Sequence, residues 1–158
     1  MRTSSGPSGA RAVTALLVVT ALGTVAYWVA FFAAGETLHS ADSTVYLAFE
    51  RAFPAADAWM AATAATAAVG LRRGRGWAVP AGIAAGSALV FLGLLDVLFD
   101  LEQGLYATWN VATSVEIVIN VFCLTVGPFL LRYFWRHRDS LLRPAPGSSR
   151  LAPSRDPL

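Results

Sequence analysis

The sequence predicts an all-α membrane protein, a bundle of four transmembrane helices, and three observations predict it. Of 158 residues, 56% are apolar and only 14% are charged, against ~25% charged in soluble domains. Mean hydropathy is +0.54. Four runs with few or no charges, each near the ~20 residues a helix needs to cross a ~30 Å hydrocarbon core, occupy most of the chain.

A cytoplasmic N-terminal segment, residues 1–11, leads into span one, residues 12–34. At 1.5 Å per residue this uncharged run makes a helix of ~34 Å. Arg2 and Arg11 supply a basic start that a signal peptide would share. The run is nevertheless longer than the ~7–15 residues of a signal h-region, and Phe31 and Phe32 stand where cleavage needs small residues. In the segment that follows, Val45, Tyr46, Phe49 and Phe53 fall on one helical face while Ser43, Glu50 and Arg51 point elsewhere. That pattern predicts a short helix lying in the interface, with Pro54 turning the chain into span two.

Span two, residues 55–71, is mostly alanine and threonine, which gain little from lipid contact and favour a place among other helices. Span three, residues 77–99, carries Gly82, Gly86 and Gly93 as a small-residue stripe for helix packing. Span four, residues 107–134, contains Gly127-Pro128, a kink signal because proline cannot donate to the preceding turn. The membrane domain is thus residues 12–135. Beyond it, residues 136–158 form a basic tail rich in proline and serine, expected to be disordered from Arg143 onward.

Charge sorts to the two sides of this arrangement. All 12 basic residues are arginine, and all but Arg51 fall on one side of a four-span threading; arginines beside spans stay cytoplasmic, which predicts both termini inside. Glu36, Asp42, Glu50, Asp57, Asp96, Asp100 and Glu102 gather with Arg51 on the other side. Trp28, Trp59 and Trp109 near the outer ends, and Trp77 and Trp135 near the inner ends, agree with headgroup-level tryptophans. The alanine, glycine and arginine excess without lysine points to a GC-rich bacterial genome and hence a plasma membrane.

Several function classes fall away. A single cysteine, Cys123, excludes disulfide scaffolds, Cys-rich zinc sites and dithiol redox chemistry. His39 and His137 lie on opposite sides of the predicted bilayer, which disfavours a haem held by both. The arginines answer to membrane topology, so no nucleic-acid partner is expected. No metal site and no cofactor is predicted; Glu36, His39 and Asp42 match no compact ligand spacing.

Glu116 is the most informative polar residue. About nine residues into span four, it would lie roughly 14 Å below the outer surface, where a charged carboxylate costs ~2.5–3.5 kcal/mol on insertion scales. It should therefore face the bundle interior or water and can carry a proton. Asn110, Thr113, Glu116, Asn120, Cys123 and Gly127 repeat at spacings of three and four and share one face. The structural role of such a face is to hold neighbouring helices in register by hydrogen bonds. The functional role is a ligand or proton site. Asp96 and Asp100, one turn apart on span three, could join Asp57, Glu102 and Glu50 in an outward acidic mouth for cations; as ordinary headgroup-level charges they would do nothing further. Arg51, the lone outer cation, would pair with Glu50, Asp57 or a bundle carboxylate, and Arg132, Arg136 and Arg138 would bind anionic headgroups.

The segment Tyr46-Leu-Ala-Phe-Glu-Arg-Ala-Phe-Pro-Ala-Ala-Asp57, the arginine turn after span two and Leu94-Leu95-Asp96 resemble small four-span bacterial membrane proteins that carry no assigned activity. The likeness covers roughly residues 12–135 and implies a fold without a reaction. Small multidrug exporters also have four helices and a membrane glutamate, but on the first helix, which here has no ionisable residue.

Three expectations follow. The first is a non-enzymatic membrane protein in which Glu116, Asn120, Asp96, Asp100, Asp57 and Thr113 surround a site for a small ligand, cation or proton. The second is a membrane-embedded enzyme acting on a lipid or isoprenoid-like substrate with two carboxylates as acid and base. The third is an accessory subunit that binds a second copy or another membrane protein through the glycine stripe or the interfacial segment. A cavity open sideways to lipid and holding both Glu116 and Asp96 would favour the second; a tightly packed interior would remove it.

Overall fold

The computed structural model describes residues 9–34, 51–107 and 110–142. They form four helices: α1 (Ala10–Ala34), α2 (Phe53–Arg72), α3 (Ala78–Gln103) and α4 (Val111–Leu142), with a 3-10 turn at Leu105–Ala107. No strand occurs among the described residues. Three helices are long and apolar enough to cross a membrane, namely α1, α3 and α4; α2 is not among them. Its alanines and threonines explain this: they lower hydropathy, and they suit a helix packed on both sides. α2 contacts α1 on one flank and α3 on the other, and Ala64, Ala67 and Ala68 are buried between them.

The helices alternate in direction. Gly70 of α2 meets Trp77 and Ala78 across a short turn, and a Cβ on Gly70 would sit 2.7 Å from that of Ala78. Gly74 in this turn has φ +59, a left-handed conformation that glycine adopts without steric cost. Along α3, Gly82 faces Phe134, Gly86 faces Gly127 and Leu131, and Gly93 faces Cys123 and Leu124. The falling and rising numbers mark an antiparallel pair. The stripe therefore meets α4 of the same chain, and a separate partner would have to displace that helix to use it.

The boundaries differ from the sequence expectation in instructive places. α3 runs on to Gln103 and stops at Gly104, whose φ of 67 forms a left-handed C-cap. α4 begins at Val111 and continues unbroken through Pro128 to Leu142, so residues 136–142, assigned above to the tail, are helical. Contact with the α2–α3 turn explains the extension: Leu141 is buried, and Leu142 lies against Gly76. Residues 143–158, residues 1–8, Trp109 and nearly all of the interfacial segment lie outside the described residues. Phe53, its last residue, opens α2.

One end of the bundle collects Arg11, Arg72, Arg73, Arg75, Arg132, Arg136 and Arg138. The other end holds Arg51 and the carboxyls of Asp57, Asp96, Asp100, Glu102 and Glu116. Arg138 bonds locally, stacking its guanidinium 4.3 Å from the Trp135 ring centroid and lying 3.7 Å from Asp139.

Candidate functional site

At the acidic end, the Asn110 side chain accepts a hydrogen bond from the Thr113 backbone N–H at 2.8 Å, an N-cap that starts α4. Asn110 is exposed and serves that cap. From there the three-and-four spacing carries Thr113, Glu116 and Asn120 into the interior, where they are 1%, 7% and 3% exposed, followed by buried Cys123. Because the helix begins at Val111, Glu116 lies only roughly 7 Å along it. That places the carboxyl nearer the acidic end than a span starting at Ala107 would.

α1 packs on α2 but makes no comparable contact with α4. The gap between them is a cavity of about 320 Å³. α4 contributes Glu116, Asn120 and Cys123; α3 contributes Leu89, Gly93 and Asp96; α2 contributes Asp57 and Met60; α1 contributes Gly23, Tyr27 and Trp28. Two rim residues, Val19 of α1 and Val118 of α4, are 61% and 69% exposed. The opening thus lies between apolar flanks of α1 and α4, on the side where a bilayer would present acyl chains. The lining is mostly apolar with a few polar groups, the usual make-up of a small-molecule pocket, and its volume is near the lower end of the ~300–1,000 Å³ such pockets have.

The structure brings Glu116, Asn120, Asp96 and Asp57 to this one cavity and divides the two aspartates of α3. Asp96 lines it, while Asp100, one turn away and 1% exposed, turns toward α4. There the Asn120 side-chain amide donates to Asp100 Oδ2 at 3.4 Å and to the Tyr106 hydroxyl at 3.3 Å. Tyr106 also hydrogen-bonds Asp100, and burial together with that carboxyl pushes its hydroxyl up to about 12. The expected acidic mouth is therefore not one surface: Glu102 is exposed, Asp100 is enclosed, and Asp57 is bound by Trp28. Asp57 Oδ2 accepts from Trp28 Nε1 at 2.8 Å, so a tryptophan of α1 is a partner of Asp57, which was one of three carboxyl partners considered for Arg51. This bond ties the acidic ends of α1 and α2 together across the cavity wall.

Sequence reasoning did not assign Tyr27, Trp28, Phe53, Gly23 or Tyr106 to the site. The tryptophan was read as a headgroup anchor, and nothing in a single sequence says which neighbour its N–H meets. For Tyr106 a signal existed: a polar aromatic just after a glycine C-cap can fold back onto the helix it follows. Among the described residues no group of three or more His, Cys, Asp and Glu side chains is placed to hold a metal ion. The site can hold a compact, largely apolar molecule and present it with carboxyl groups and an amide. No family model, curated protein or solved structure matches this chain.

Proposed function

We propose that this chain is an integral membrane protein that crosses the bilayer four times with both termini in the cytoplasm, and that the cavity beside Glu116 binds a small molecule arriving from the lipid phase. The observation that carries this reading is the cavity itself, apolar on its walls, polar at Glu116, Asn120, Asp96 and Asp57, and open between α1 and α4. The segregation of arginines to one end supports the orientation. α2 crosses as an inner member of the bundle, its weak hydropathy compensated by helices on two flanks.

Gly23 provides the test. Gly23 lines the cavity and a Cβ there meets nothing within 4 Å, so Gly23→Phe adds bulk at the mouth from a backbone position that accepts a side chain. In protein retaining Trp28 alone (Trp59, Trp77, Trp109 and Trp135 replaced by phenylalanine) and placed in lipid nanodiscs, bromobenzene quenches Trp28 saturably in the parent and only linearly after Gly23→Phe. Linear quenching in both would remove the binding site. Tags in the Arg72–Arg75 turn that react from outside intact cells would overturn the threading.

A second reading, a membrane-embedded enzyme, gains from the same geometry, because the laterally open cavity contains both Glu116 and Asp96. Two carboxyls in different surroundings can divide acid and base roles. An isoprenoid diphosphate fits poorly, since no arginine or histidine is among the described residues that line the cavity to meet its charge.

A further inference from the structure

The walls of this cavity bear on what it would hold. Its acidic groups are the carboxyls of Asp57, Asp96 and Glu116, with no basic residue among the described lining. Aromatic rings surround the same space, from Tyr27 and Trp28 on α1, Phe53 on α2 and Phe122 on α4. Ring faces attract cations, most strongly where water is excluded, and combine with carboxylates to recognise substituted ammonium ions. Asn120 adds a separate observation. It is 3% exposed, its amide nitrogen is committed to Asp100 and Tyr106, and its carbonyl oxygen has no hydrogen-bond partner. A buried acceptor left without a donor has lost its hydration without replacement, and a ligand N–H would restore the missing hydrogen bond.

Resting on the reading that the cavity binds a small molecule, we propose that its ligand is an organic ammonium ion with at least one N–H and a compact apolar body. The positive nitrogen lies among Asp96, Glu116 and the aromatic rings and donates to Asn120, while the apolar part points out between Val19 and Val118. Anionic amphiphiles are excluded by the same walls that favour the cation. The amine could come from an ethanolamine lipid headgroup or from a free amine dissolved in the membrane; the chemistry at the site is shared.

Equilibrium dialysis of radiolabelled N,N-dimethylbenzylammonium and its uncharged isostere isobutylbenzene against the protein in phosphatidylcholine nanodiscs, with empty discs subtracted, tests this. The ammonium ion should bind roughly tenfold tighter or better, the scale of a cation–π contact in a desolvated site. Asp96→Asn and Glu116→Gln should each reduce that preference. Equal or tighter binding of isobutylbenzene, saturable and abolished by Gly23→Phe, would overturn the ammonium assignment and leave the binding cavity standing. Saturable binding of neither probe would overturn both. Adding one part in three of phosphatidylethanolamine distinguishes the sources: suppressed probe binding identifies the lipid headgroup, and unchanged binding identifies a free amine.

Discussion

Replacing Gly86 by alanine tests the close contact on which the α3–α4 pair depends. The new methyl would lie 2.9 Å from the Gly127 carbonyl oxygen and 3.1 Å from the Leu131 backbone nitrogen. These are backbone atoms within a helix, so no side chain can rotate away, and the helices must separate. Overpacking of this kind costs ~1–3 kcal/mol, and a gap of only ~0.5–1 Å already forfeits a quarter to a half of the dispersion at neighbouring contacts. Alanine returns about 0.8–1.0 kcal/mol in helix propensity, leaving a net loss of up to about 2 kcal/mol. Gly23→Ala is the matched control: the same methyl meets nothing within 4 Å, so it should be neutral or stabilising by up to about 1 kcal/mol. Reversible unfolding in mixed micelles, followed by helical circular dichroism, should separate the two variants by about 1–3 kcal/mol, because the propensity gain is common to both and cancels. If Gly86→Ala is as stable as Gly23→Ala, the α3–α4 interface is not set by backbone approach, and the packing argument fails.

Three further outcomes follow from the polar groups. Asn120→Leu removes the donor shared by buried Asp100 and by Tyr106, and should cost about 1–3 kcal/mol in the same unfolding assay; an unchanged midpoint would mean that these bonds contribute nothing. Trp28→Phe keeps the ring but loses the bond to Asp57, so stability should fall by about 0.5–1.5 kcal/mol, whereas no loss would show that the α1–α2 clasp is idle. Tyr106 is held neutral in the folded protein up to about 12 against an ordinary value of 10.0. Its contribution is therefore fully present below the unfolded value and is lost as pH rises from there through the folded value. In an absorbance titration at the phenolate band, the late-ionising part should shrink by one tyrosine in Tyr106→Phe; a parent curve identical to that of the variant apart from amplitude contradicts the late ionisation of Tyr106.

Much of this architecture is legible one residue at a time. Hydropathy marks α1, α3 and α4, and the alanine and threonine content of α2 already separates it from a lipid-facing helix. The spacing of Thr113, Glu116, Asn120 and Cys123 puts them on one side of α4 because a helix returns to the same face every three to four residues. The same rule could not separate Asp96 from Asp100. They share a face of α3 by spacing, yet one lines the cavity and the other meets Asn120 and Tyr106.

Local chemistry, written along the chain, determined which segments become helices, which faces carry polar groups and which end gathers the arginines. The tertiary arrangement decided that α1 leans on α2 and not on α4, that Trp28 meets Asp57, and that a cavity of about 320 Å³ remains beside Glu116. Periodicity specifies a direction around one helix axis; an unfilled volume is a property of several helices at once, set by how closely glycine-bearing backbones approach at one seam and fail to approach at another.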